Sequence, residues 1–174
     1  MQVTRAYHLV LCLAILLVWH TVARADTWKK HVYKTDGFEV EFSGDTRVAP
    51  IEVNAETRSN IVRGTSYAQD GGEYAYLVGA SLIRGEFSFE AGSSGTFASY
   101  KCKVTILDSA LAFGMGHARR IQGANCLDGT YAAYTRYFTT GKWFYQIVAL
   151  YKQDSGLDEA ARHFVTSFKV IGMK

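Results

Sequence analysis

The sequence predicts an α+β domain built on a single antiparallel sheet flanked by helices, with an amphipathic helix near the carboxyl end. Three observations carry that prediction. Much of the chain alternates apolar and polar side chains with a period of two, the pattern of a half-buried strand. Turn signals punctuate the alternation at Asp36-Gly37, Asp70-Gly71-Gly72, Asp128-Gly129 and Thr140-Gly141-Lys142, residue types that favour hairpin connections. Near the end the period lengthens to about 3.6, that of a helix with one apolar face.

The elements follow in order. Phe38-Glu39-Val40-Glu41-Phe42 alternates strictly between apolar and acidic, so one face of a strand is buried and the other wet. Residues 31–34 are expected to pair with it as the other arm of a hairpin. Strands follow over 48–53, 58–67 and 73–83. Between 84 and 95 the pattern breaks, with Gly85, Gly92 and Gly95 around Phe87 and Phe89. A short helix is expected over 96–103, presenting Phe97 and Tyr100 to the core. Further strands are expected over 104–111, 118–121, 130–140 and 143–151, the last two forming a central antiparallel hairpin. Leu157, Ala160, Ala161, Phe164, Val165 and Phe168 then make one helical stripe that must dock on a sheet. Ser155 with Asp158 resembles a capping box with Asp in place of Glu, and Asp158 and Glu159 suit a helix amino end.

Residues 1–25 read as an export signal: Arg5, an apolar run over 9–19, and Ala23-Arg24-Ala25 before an expected cleavage after Ala25. Eleven apolar residues fall short of the roughly 20 needed to cross a bilayer as a helix, so no permanent span is expected. The remainder, 26–174, is one domain by size. Its charge differs from that of the whole chain, because Arg5 and Arg24 supply two of the 19 basic residues, leaving 17 against 16 acids and a net +1 instead of +3. Near neutrality excludes the basic stripe of a nucleic-acid binder. Cys12 leaves with the signal, and Cys102 and Cys126 are expected to join in an oxidising compartment, periplasmic or extracellular. Closing that loop of about 25 residues is worth about 3 to 4 kcal/mol on the loop-entropy model.

No catalytic, metal or cofactor motif emerges. There is no G-x-S-x-G, and His31, His117 and His163 lack ligand spacing. Ser93-Ser94-Gly95 and Gly114-Met115-Gly116-His117 are the nearest candidates, and the lone G-x-G of the second reads as a turn, since it neither follows a clear strand nor opens a clear helix. The unusual feature is aromatic content, with 11 Tyr, 10 Phe and 3 Trp. Tyr74 and Tyr76 share one face of a strand, as do Trp143, Tyr145 and Tyr151 of another. Aligned rings with polar tips can line a cleft or an interface, though cross-strand aromatic pairs also simply stabilise sheets. The candidate binding residues are therefore Tyr74, Tyr76, Tyr134, Arg136 and Tyr145, with Arg136, beside Tyr134 and opposite to Tyr137, as the anchor for an anionic group.

Tyr33, Asp36-Gly37-Phe38, Val40 and Phe42, a glycine at 44, a long sheet and a closing Phe168-x-Val170 resemble small exported bacterial proteins of the PsbP-like fold. The resemblance spans most of 30–171. Ser43 stands where a proline often precedes the glycine. The resemblance implies an antiparallel sheet flanked by helices and a non-enzymatic accessory or binding role, and names no partner; an envelope protein or a small ligand is expected. Two other readings stay open: a hydrolase assembled from scattered residues, and a structural envelope protein without a ligand.

Overall fold

The computed structural model describes residues 27–52, 60–85, 87–113 and 116–172, with the side chains of 109–113 left aside. The expected export signal lies outside these residues, as do Gly114, Met115 and the ends of two expected strands at 53 and 58–59.

The strands form two antiparallel sheets, which corrects the expectation of one. A small sheet has the order β1-β2-β10, from β1 (Lys29–Tyr33), β2 (Phe38–Phe42) and β10 (Lys169–Val170). A seven-stranded sheet has the order β3-β4-β5-β9-β8-β7-β6, from β3 (Arg47–Pro50), β4 (Ile61–Asp70), β5 (Tyr74–Ile83), β6 (Lys103–Phe113), β7 (Gly116–Cys126), β8 (Tyr131–Thr139) and β9 (Trp143–Lys152). The reason for the split is visible in β2. Phe38, Val40 and Phe42 are fully buried in the same core as Val78, Ile147 and Phe164. That hairpin therefore lies across a face of the large sheet and cannot extend its edge. Its acidic residues are both engaged: Glu39 in an ion pair with Lys30 at 2.8 Å, and Glu41 in a hydrogen bond with His163 at 2.7 Å.

The expected central hairpin is β8 and β9, in register from Tyr131↔Lys152 to Thr139↔Phe144. Both faces of these strands are covered, which explains their nearly continuous apolar sequence. On one face sit the small sheet and helix α2 (Asp158–Ser167), with Phe164 stacked on Tyr76 at 4.7 Å. On the other sits helix α1 (Phe89–Ala98), over a core of Phe97, Ile121, Tyr137 and Phe144.

Helix α1 lies earlier than the sequence pattern places it. The glycines at 92 and 95, read as breakers, are inside it; a Cβ at Gly92 would stand 2.5 Å from the Phe87 ring, so only glycine lets that ring close over the helix. Ser88 caps the start by accepting from Ala91 N at 3.2 Å. The helix ends before Lys101, whose φ of 52° turns the chain toward Cys102. Cys102 is bonded to Cys126. Gly123 makes room for that bond, because a Cβ there would meet the Cys102 Cβ at 2.5 Å and the Phe97 ring at 2.8 Å.

The capping box expected at Ser155 does not form. Its hydroxyl donates to the Lys152 carbonyl at 2.6 Å, and no side chain caps α2. Asp158 in the first turn instead accepts from the Tyr151 hydroxyl at 2.8 Å, a bond that ties the helix to the sheet and offers a carboxylate to the helix amino end.

Candidate functional site

The Asp36-Gly37 turn is more than a hairpin signal. Asp36 is 2 % exposed. Its carboxylate accepts from the Tyr67 hydroxyl at 2.5 Å and from Arg63 at 2.7 Å, and its carbonyl accepts from the Tyr145 hydroxyl at 2.8 Å. Burial, then the hydrogen bond to Asp36 and its charge, push the Tyr67 phenol well above its usual range. Gly37 has φ +73°, and a Cβ there would sit 3.2 Å from the Tyr145 oxygen. This cluster pins the small sheet to the large one. Its donors and acceptors satisfy one another, so it is structural.

The five candidate tyrosine and arginine positions do share one face of the large sheet, the one that the small sheet and α2 cover. Tyr76 and Tyr145 are 1 % exposed and belong to the core, which corrects their place on an open surface. Tyr74 is half-buried; its hydroxyl accepts from Gln69, whose other amide atom accepts from the Ser43 and Gly44 backbone at 3.1 Å. Tyr134 is buried beneath Arg162, which lies over its ring at 4.7 Å and donates to its hydroxyl. Arg162 also reaches Asp158, and Tyr134 stacks on Tyr151 at 5.8 Å. A shallow recess of 310 Å³ opens beside this pair, between Gln122, Gln153 and Asp158. Burial and then Asp158 raise the phenols of Tyr134 and Tyr151. Burial pushes Asp158 the other way, yet hydrogen bonds from Tyr151, Tyr134 and Arg162 hold its carboxyl below the usual value of 3.8.

Arg136 stands apart. It lines a cleft of 480 Å³ at the end of the covered face, where the small sheet and the large one diverge. Phe138 of β8 and Phe168 after α2 supply its apolar wall, their rings stacked at 5.5 Å. The Arg136 guanidinium caps that stack, 4.7 Å from the centre of the Phe138 ring. Val170 and Ile171 close the opposite side, and Lys169 and Glu39 stand at the rim. Glu39 is already paired with Lys30. Arg120, directly opposite Arg136 on β7, is engaged by Asp108. Among the described residues no carboxylate forms an ion pair with Arg136. Burial first, and the Arg120 charge second, pull the Arg136 guanidinium below the usual arginine value. The cleft thus combines an apolar wall with one half-buried cation that has no counter-charge among the described residues.

Of the sequence candidates, only Arg136 lines this cleft. Phe168 and Val170 are visible in the sequence as a closing motif, but nothing in it says that β10 returns to pair with β2 through Lys169↔Glu39 and Val170↔Phe38. That pairing builds the cleft. On the opposite face, Ser93 and Ser94, among the nearest candidates for a nucleophile in the sequence, lie in α1 and accept from Arg119 at 3.0 and 3.1 Å. His117 lies near the Phe89 ring, 5.9 Å between centroids. Among the described residues no three His, Cys, Asp or Glu side chains stand close enough to hold a metal ion, and no helix is long and apolar enough to cross a membrane.

The two antiparallel sheets with a helix on each face of the larger one define a PsbP-like fold. The solution structure of cyanobacterial PsbP (CyanoP) from Synechocystis sp. PCC 6803 is similar over 86 % of this chain and 95 % of that one, with a TM-score of 0.54 and 9 % sequence identity. At that identity the likeness is one of fold. No family model and no curated protein matches the chain.

Proposed function

We propose that this is an exported, non-catalytic accessory protein that holds a partner or ligand at the cleft lined by Arg136. The observation that carries the reading is the unpaired guanidinium on an apolar wall. A half-buried cation without a counter-charge is unfavourable in the free protein, and a site that leaves it so gains when an anionic group arrives. The PsbP-like fold supports an accessory role, and the export pattern of residues 1–25 together with the Cys102–Cys126 bond supports an oxidising compartment outside the cytoplasm. Of the tyrosines expected to take part, Tyr134 remains a secondary contact through the recess beside Asp158, and Tyr74 through its half-exposed ring.

A photo-crosslinking side chain at Ile171, in the native host, tests the reading. Ile171 is exposed at the cleft mouth. The expected result is an adduct, protein or small molecule, that disappears when Arg136→Gln is added. The same adduct from a probe at Ala98, exposed on α1 across the sheet, would contradict it.

A further inference from the structure

We infer that the cleft takes a small amphipathic carboxylate, its head group on the Arg136 guanidinium and its apolar body along Phe138, Phe168, Val170 and Ile171. The inference rests on the preceding reading that this cleft is the contact site, and adds the chemical class of what enters it.

Size comes first. A volume of 480 Å³ falls within the range of about 300 to 1,000 Å³ typical of small-molecule sites. Its wall is formed by two stacked phenylalanine rings and two aliphatic side chains, a surface that rewards an apolar body by removing it from water. An uncharged apolar molecule would gain from that wall alone. It would leave Arg136 more deeply desolvated than before, still without a counter-charge. An anion is therefore preferred.

The charge count distinguishes a carboxylate from a phosphate. One guanidinium offers a planar fork that matches the two oxygens of a carboxylate. Arg120, the nearest other guanidinium, is already held by Asp108, and Lys169 stands exposed at the rim. A phosphate monoester carries close to two negative charges at neutral pH. Arg136 is the one half-buried cation among the lining residues, so the second charge would fall to Lys169, which is exposed and hydrated. A monoanion balances the half-buried guanidinium, and the second charge of a dianion gains only a solvent-exposed partner. The same geometry sets the order of the molecule: head toward β8, tail toward β10.

Calorimetric titration of the disulfide-bonded exported protein with octanoate, octan-1-ol and octyl phosphate tests this. Octanoate is expected to bind at least about tenfold more tightly than either of the others. Arg136→Gln is expected to remove most of the difference between octanoate and octanol. Because that change could disturb β8, Ile171→Glu serves as a second variant: it places a negative charge at an exposed position of the mouth and is expected to weaken octanoate at least about tenfold while leaving the melting temperature unchanged. Octanol binding as tightly as octanoate, octyl phosphate binding more tightly, or full octanoate affinity in both variants would each overturn the inference. Arg136-dependent protein crosslinks from Ile171 without any octanoate binding would overturn the ligand class and leave the contact site standing. Absence of such crosslinks would remove the contact site itself.

Discussion

The two faces of the seven-stranded sheet are covered in different ways. The face under α2 and the small sheet is a continuous aromatic core, from Tyr76 and Phe164 through Phe42 and Phe38 to Tyr145 and Phe168. Its cover consists of two elements that meet at the end of the chain and separate at one edge, where the cleft opens. The face under α1 is smaller. Its helix contains two glycines, its apolar core rests on Phe97, Tyr137 and Phe144, and a disulfide anchors the strand end beside it. Among the described residues the buried hydroxyl of Tyr137 has no partner within hydrogen-bond geometry, whereas the Tyr145 hydroxyl on the other face reaches the Asp36 carbonyl. Packing holds one face, and a covalent bond reinforces the other. The unpaired charge lies where the heavier cover ends.

The strongest way to break this contrast is Phe164→Asp. A charge at a fully buried position between Tyr76 and Phe42 is expected to cost more than about 4 kcal/mol. Urea unfolding checks it, and near wild-type stability would refute the docking of α2. Next comes the paired change of Cys102 and Cys126 to Ser, expected to cost about 3 to 4 kcal/mol while leaving octanoate affinity within about twofold, since the bond braces the face away from the cleft. Asp36→Ala should cost about 3 kcal/mol, the low end for breaking a buried pair because Arg63 remains half-exposed. It sharpens the contrast by loosening the junction of the two sheets, so octanoate affinity should fall together with stability.

The smallest effect is a pH dependence. The Asp158 carboxyl is held below its usual value in the folded protein, so it contributes stability above the unfolded value near 3.8 and loses it as pH falls through the depressed folded value. Asp158→Asn should therefore flatten the acid side of the stability profile below about pH 4. Thermal melts at stepped pH check this, and an unchanged acid limb would contradict the Tyr151–Asp158–Arg162 network.

Local pattern made much of the fold legible. Alternation in Phe38–Phe42 named the buried face of β2, and the turn residues at Asp128-Gly129 and Thr140-Gly141 bracketed the central β8 strand. The helical stripe ending at Phe168 identified α2 to within a residue at its carboxyl end. What pattern could not supply was pairing between distant segments. The cleft depends on β10 meeting β2, a contact between residues about 130 apart that leaves no local signal. Helix α1 was misplaced because Gly92 serves close packing with Phe87, and glycine in sequence reads the same whether it breaks a helix or admits a ring. The candidate site was legible in one residue, Arg136, through its placement opposite Tyr137. The aromatic residues were correctly assigned to shared faces, yet alternation says nothing about what covers a face, and Tyr76 and Tyr145 prove to be core.

The most direct test is a map of backbone amide chemical shifts in the isotope-labelled, disulfide-bonded protein during titration with octanoate. Perturbations confined to Glu39, residues 136–140 and residues 168–172, with α1 and the Cys102–Cys126 region silent, are the predicted result. Largest shifts on α1 or along β6, or no shift at saturating octanoate, would contradict the assignment of the binding site to the Arg136 cleft.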